Sequence, residues 1–235
     1  VKSQFGQKIR LRNSCIIKDF DVKPNLRIIG DVHGNIKKYK SLAEKAEFSI
    51  QLGDLGFDYS LLENNFSSNI HKVLAGNHDN YEQRDGVFIN QTKHFLGDYG
   101  VIQVPNIGDI FFVRGGRSID AASRVLGVDY WSEEELSYEQ ANKAIELYKR
   151  VEPDFVVSHE CPESVINYVS NFDSYFVKPS FTAKLLQAML DEHKPKVWFF
   201  GHHHKRFLKV IDNTEFNCLD ELECCDIYEC GEEVK

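Results

Sequence analysis

The chain has 235 residues, 42% of them apolar, and a formal net charge of −8 at pH 7. That is long and apolar enough for one sizeable core, and the negative balance disfavours a long nucleic-acid backbone as partner, although Arg114, Arg117 and Arg124 lie close in sequence. Val1 to Arg10 is polar and basic, and the longest purely apolar stretch, Val197 to Phe200, is far too short to span a bilayer, so a cytoplasmic protein with no membrane partner is expected.

In chain order, Lys8 to Ile17 alternates weakly and reads as a hairpin within an N-terminal extension over residues 1–25. Leu26 to Gly30 predicts a strand. Asn35 to Glu47 predicts a helix with Ile36, Tyr39, Leu42, Ala43 and Ala46 on one face. Phe48 to Leu52 predicts the next strand, and strand–helix–strand order argues a parallel βαβ unit. Val101 to Val104 and Asp109 to Val113, joined through Pro105 and Asn106, predict a β-hairpin. Residues 114–136 are polar and irregular apart from Tyr130 and Trp131. A loop this long is usually functional, which makes it a candidate substrate lid with aromatic faces for stacking on a base or sugar. Ser137 and Gln140 form a capping-box signature for a helix whose stripe is Ala141, Ala144, Ile145 and Tyr148. A further helix is predicted from Phe181 to Glu192, then strands at Phe207 to Ile211, Glu215 to Leu219 and Cys225 to Tyr228, the first two joined by an Asp212-Asn213 turn. Six cysteines are too few for a small secreted disulfide framework. Cys218, Cys224, Cys225 and Cys230 crowd the C-terminal region without paired zinc spacing, so a β-hairpin with buried thiols is the favoured reading.

One pattern recurs five times. A short run ends in Gly or Ser, and the next residue is a metal-ligand type: Leu26–Gly30 then Asp31, Ser49–Gly53 then Asp54, Lys72–Gly76 then Asn77, Asp154–Ser158 then His159, and Val197–Gly201 then His202. Such runs read as buried strands. Ligands of open α/β sheets bind beyond the carboxyl ends of the strands, so the pattern places two Asp, one Asn and two His on one rim. His33 and His204 follow two residues after Asp31 and His202. Each piece alone has a plain explanation, such as a capped turn for Gly76-Asn77-His78-Asp79; together they predict a metal site. Since the positions run from 31 to 204, one domain over 1–235 is expected.

The ordered set Gly-Asp-Val-His-Gly at 30–34, Gly-Asp at 53–54, Gly-Asn-His-Asp at 76–79, His159, and Gly-His-x-His at 201–204 resembles the calcineurin-like metallophosphoesterase superfamily. The resemblance implies a four-layer α/β/β/α sandwich of two mixed sheets flanked by helices. It implies two divalent ions, the first on Asp31, His33 and His204, the second on Asn77, His159 and His202, with Asp54 bridging. Mixed imidazole and carboxylate ligands suit Mn, the first choice, or Fe, Zn, Ni or Co. The implied activity is hydrolysis of a phosphoester by a metal-bridged hydroxide, with His78 as catalytic acid. Asn77 and His78 are also expected at the substrate. In the protein Ser/Thr phosphatase branch two arginines clamp the phosphate; here the matching positions are Leu55 and Ala75. Arg114 and Arg117 are candidate replacements, since guanidinium matches phosphate oxygens in a fork. The acid that orients the histidine in that branch would fall at Phe57; Asp58 and Asp79 are the alternatives, Asp79 being placed with His78 in the catalytic group. A small phosphodiester, nucleotide or other soluble phosphoester is the expected substrate. A protein phosphatase of the same superfamily and a non-catalytic metal-binding scaffold are the alternatives.

Overall fold

The computed structural model describes residues 9–12, 23–56, 59–81, 89–118, 123–126, 131–169 and 179–229. Phe57, Asp58, Tyr130 and Cys230 lie outside them. The elements in order are β1 (Ile9–Arg12), β2 (Leu26–Ile29), α1 (Ile36–Ala43), β3 (Phe48–Gln51), α2 (Ser60–Asn65), β4 (His71–Val73), β5 (Tyr99–Val104), β6 (Gly108–Val113), α3 (Tyr138–Val151), β7 (Phe155–Ser158), α4 (Glu163–Val169), α5 (Phe181–Glu192), β8 (Val197–Phe200), β9 (Phe207–Ile211), β10 (Thr214–Cys218) and β11 (Cys224–Glu229).

Two mixed sheets result. The first runs β1-β11-β2-β3-β4, with β2, β3 and β4 parallel. The second runs β5-β6-β7-β8-β10-β9, parallel from β6 through β10. Every residue of β2, β3, β7 and β8 is buried. Parallel strands covered on both faces carry no polar alternation, which is why they read as short apolar runs.

Successive side chains point to opposite faces, and this sorts the core into layers. Leu26, Ile28, Phe48 and Ile50 of the first sheet meet Ile110, Phe112, Phe155, Val157, Val197 and Phe199 of the second. The outer face of the first sheet, Ile29 and Val73, lies under Tyr39, Ala43 and Leu62 of α1 and α2. The outer face of the second, Phe111, Val156, Trp198 and Phe200, lies under Ala144, Tyr148, Val165, Leu186 and Met189 of α3, α4 and α5. The order of layers is α/β/β/α. Caps fix the helix starts as side-chain acceptors for orphan N–H groups: the Asn35 side chain accepts from the Lys38 N–H, Ser137 and Gln140 close a capping box, and Ser180 accepts from the Ala183 N–H.

Two sequence expectations change. The first helix ends at Ala43, because the Glu47 and Phe48 N–H groups bond to Pro24 and Asn25 carbonyls as the chain enters β3. β1 pairs antiparallel with β11, far along the chain, and the rest of the expected Lys8–Ile17 hairpin lies outside the described residues. β10 and β11 form no hairpin: β10 joins the second sheet beside β8, while β11 crosses to the first and pairs with β2. Cys218, Cys224 and Cys225 are buried in three different layers, so they share no ion.

One buried polar cluster supports the first sheet. His71 Nδ1 meets Ser49 Oγ at 2.6 Å, and its Nε2 meets the Tyr39 hydroxyl. Burial pulls the His71 pKa down to about 3 from 6.5. The folded chain therefore keeps His71 neutral where the unfolded chain takes up a proton, and stability is lost as pH falls below 6.5, at up to about 1.4 kcal/mol per pH unit. Urea unfolding of the metal-free protein at pH 7 and pH 5 should show wild type losing about 2 kcal/mol more than His71→Gln. Equal losses would mean that His71 titrates alike in both states.

Candidate metal centre

The loops after β2, β3 and β4 meet the loops after β7 and β8 at one rim. Asp31 and His33 follow β2, Asp54 follows β3, Asn77 and His78 follow β4, His159 follows β7, and His202 and His204 follow β8. Backbone bonds hold these loops together: Val32 and His33 N–H both donate to Asp54 O at 3.0 Å, and Gly201 N–H donates to His159 O at 3.0 Å.

The glycines that close these runs have a steric cause. A Cβ on Gly76 would stand 2.2 Å from Asp54 Oδ1, and one on Gly201 would stand 2.2 Å from Asp31 Oδ1. Gly53, at φ 114°, would put a Cβ 2.6 Å from His159 Nδ1. His33, Asp54, His202 and His204 all hold positive φ, between 45° and 66°. Non-glycine residues cost of order 1–3 kcal/mol each in such conformations, which cluster at functional sites.

The structure brings all seven expected ligands together. One group is Asp31, His33, Asp54 and His204; the second is Asp54, His159 and His202; in each, one ligand atom per residue lies within 4.8 Å of the others. Asp54 is common to both. His33 Nε2 is 2.9 Å from His204 Nε2, and His204 Nε2 is 3.1 Å from Asp31 Oδ2. Asn77 enters the second group through Oδ1, 3.0 Å from His159 Nε2.

Proton accounting tests whether cations fit. His159 Nδ1 lies 2.9 Å from Leu52 O, so that nitrogen carries the hydrogen. Nε2 is left as a bare lone pair facing Asn77 Oδ1 at 3.0 Å and Asp54 Oδ1 at 3.4 Å. Of these atoms, Asp54 Oδ1 accepts the His78 N–H at 2.8 Å. Asp54 Oδ2 is buried with no hydrogen-bond partner among the described residues. Acceptors gathered this way are costly unless a cation lies among them. Burial also favours the neutral form of three imidazoles, as ligands require: it lowers the pKa values of His33 and His202 and takes His159 down to about 3, whereas the hydrogen bond to Asp31 raises His204. Burial, with the charges of Asp31 and Asp79, pushes Asp54 well up. Burial opposes ionisation of Asp31 too, but the His204 hydrogen bond and the charges of His159 and His202 bring it below the ordinary value. Nitrogen, carboxylate and amide-oxygen donors match first-row transition ions better than calcium, so the residues fit a pair of such ions.

The open side carries the other candidates. His78 is half-buried, its N–H donating to Asp54 Oδ1 at 2.8 Å and its ring edge-on to His33. Arg117 is exposed beside Gly116, where a Cβ would stand 3.1 Å from His159. Two expectations are corrected. Asp79 is fully buried, and its carboxylate accepts from the Asp54, Leu55 and Gly76 N–H groups and the Tyr59 hydroxyl. It ties the loops of β3 and β4 together and is spent on them, so it belongs to the scaffold and not with His78. Arg114 is also buried: its Nε pairs with Asp98, its Nη1 donates to Glu133 O at 2.6 Å, and its guanidinium sits over Tyr81. That places it behind the site as a brace for residues 131–136 and removes it as a phosphate clamp. Trp131 is half-buried and packs against the helical side of the first sheet.

The guanidinium that does reach the site is Arg124, whose Nη2 lies 3.0 Å from His78 Nδ1 and 3.1 Å from Nε2. In the sequence it is merely a third arginine after Arg114 and Arg117; a contact across 46 positions leaves no local signal.

A family model, calcineurin-like phosphoesterase, matches residues 25–206, most of the chain and all of the rim. The chain belongs to the calcineurin-like phosphoesterase family. Comparison with curated proteins finds no match. Among solved structures, the chain is similar to a phosphopantetheinyl hydrolase from Mycobacterium tuberculosis (17% identity, TM-score 0.48, covering 85% of this chain and 90% of that one). It is similar also to a predicted phosphoesterase from Streptococcus pneumoniae (11%, 0.38, 83% and 71%) and to a putative 5'-nucleotidase from Staphylococcus aureus (13%, 0.42, 87% and 53%).

Because Asp54 holds its proton unusually tightly, ion uptake must displace it. Affinity for Mn²⁺ or Zn²⁺, measured by titration calorimetry, should rise with pH until Asp54 ionises, and binding should release protons in that range. Asp54→Asn should weaken uptake of both ions by more than about 100-fold, beyond the usual cost of altering a group one step removed from an ion. Unchanged affinity in that variant would remove Asp54 from the centre.

Proposed function

We propose that this chain hydrolyses a small soluble phosphoester at a centre of two divalent ions, manganese being the first choice. The ions' ligands would be Asp31, His33 and His204, then Asn77, His159 and His202, with Asp54 shared. The observation that carries the reading is the convergence of His159 Nε2, Asn77 Oδ1 and the Asp54 carboxyl, whose buried Oδ2 has no hydrogen-bond partner among the described residues. When bound, such ions supply positive charge that neutralises a phosphate and acidifies water.

The chain's own residues divide the remaining work. His78 stands at the open side with its backbone pinned to Asp54, so its ring can give a proton to a departing alkoxide. Arg124, against His78, and Arg117, exposed next to Gly116, are the candidate arginines, and a guanidinium at the site can hold phosphate oxygens during the reaction. In this reading Arg124 exchanges its contact with His78 for the substrate. Asp79 keeps the Asp54 and Asn77 loops at fixed separation. Burial of Arg114 leaves the phosphate to arginines on a loop, which supports small substrates over phosphoproteins.

Aryl phosphate monoesters, aryl diesters and phosphopeptides assayed with several divalent ions test the proposal. Turnover of the small esters, abolished by a chelator and restored by Mn²⁺, is expected. A preference for phosphopeptides would move the protein to the phosphatase reading, and no turnover with both ions bound would make it a scaffold. His78→Ala should keep its metal and lose about 10²–10⁴-fold in kcat. Arg124→Ala should raise KM by about 10-fold or more, the usual worth of a hydrogen bond to a charged group; an unchanged KM would return Arg124 to the surface.

A further inference from the structure

Beside the rim lies a buried charge that the ligand set does not use. Glu160 follows His159 directly and is 3% exposed. Its Oε2 is 3.3 Å from His202 Nε2, and its Oε1 is 2.8 Å from His203 Nε2 and accepts the Cys161 N–H at 2.9 Å. A carboxylate taken out of water is strongly penalised unless paired and hydrogen-bonded. Glu160 is therefore a buried carboxyl whose side-chain neighbours are two adjacent imidazoles.

Glu160, Cys161 and His203 lie close enough to share an ion of their own. The chemistry argues otherwise. Burial raises the Cys161 thiol well above its ordinary pKa, so no thiolate is offered, and Oε1 already accepts two hydrogen bonds. The group serves its neighbour instead.

We infer that Glu160 is the positioning residue of the second ion site: it accepts the Nε2 hydrogen of His202, fixing the tautomer in which Nδ1 is the bare nitrogen available to an ion. The inference rests on the proposed metal centre and adds the means by which one ligand is made ready. A neutral imidazole has one hydrogen and one lone pair, and a carboxylate at Nε2 decides which nitrogen has which. Such an acceptor fixes ring orientation and raises ligand basicity, and its loss typically costs 10–100-fold in metal affinity. His203, bound to the other oxygen, holds the carboxylate in the plane that His202 needs. This gives the middle residue of the His202-His203-His204 run a role distinct from its two neighbours.

Glu160→Gln tests this with little change of shape. The amide keeps one acceptor and gains a donor, so it cannot accept from both imidazoles. In the metal-free protein, ¹⁵N NMR of the imidazoles should show His202 with its hydrogen on Nε2 in wild type and a mixed or reversed tautomer in Glu160→Gln. Calorimetry with Mn²⁺ or Zn²⁺ should show two ions bound by wild type. In the variant one ion should bind within about twofold of wild type and the other 10–100-fold more weakly. Glu160→Asp should recover part of that loss, whereas a merely structural role would lower the metal-free melting temperature without separating the two sites. Wild type taking up no ion would overturn the metal-centre reading and this inference with it. Wild type binding two ions, with Glu160→Gln matching it in both affinities and in tautomer, would overturn the inference alone.

Discussion

Two buried carboxylates of like charge, Asp31 and Asp54, stand at the rim with Asp79 beneath them, and much of the local structure exists to hold them there. Left to themselves these groups would repel one another or take up protons, and Asp54 is pushed toward doing so. What keeps them in place is a set of backbone donors. Asp79 gathers N–H groups from Asp54, Leu55 and Gly76. Asp31 accepts from the His202 N–H, and Asp54 from the His78 N–H. Each carboxylate thereby ties a loop of one strand to that of another, and one bond crosses between the two sheets. The free oxygens and the lone pairs of the imidazoles are turned inward, an arrangement that positive ions stabilise.

The price of that arrangement is visible in the backbone and in the choice of residue. Four of the expected ligands hold left-handed φ values, and glycines precede Asp54, Asn77 and His202 where a Cβ would collide with another expected ligand. Strain of this kind persists only where the surroundings over-determine it. The surroundings here are the fully buried ends of β2, β3, β7 and β8 and the apolar layer between the sheets. Rigid strands thus carry the ligands, while the residues on the open side, His78, Arg117 and Arg124, are the more accessible ones.

Much of the fold could be read from local pattern. The βαβ unit, the β5–β6 hairpin and the capping box of α3 follow from periodicity and turn chemistry that lie within a few residues of one another. Pairings between remote segments could not be read. β1 and β11 are more than 200 positions apart, and β11 leaves its sequence neighbour β10 for the other sheet because its Cys225 and Ile227 complete the layer between them. The short helices α2 and α4 carry too few residues to show a period.

The rim of expected ligands was legible because each lies within four residues after the end of a strand, so chain order alone predicts its address. The roles of Asp79, Arg114, Arg124 and Glu160 were not. Asp79 and Arg114 look like site residues by sequence neighbourhood, yet folding turns one into a clasp for backbone amides and the other into a buried brace. Arg124 and Glu160 look ordinary, yet folding sets one against His78 and the other between two histidines. The sequence by itself determined which side chains end the strands, since alternation and a closing glycine are short-range facts. Only the tertiary structure decided which charges face the rim and which are consumed behind it, because a side chain's partners depend on segments that meet only after the two sheets have packed.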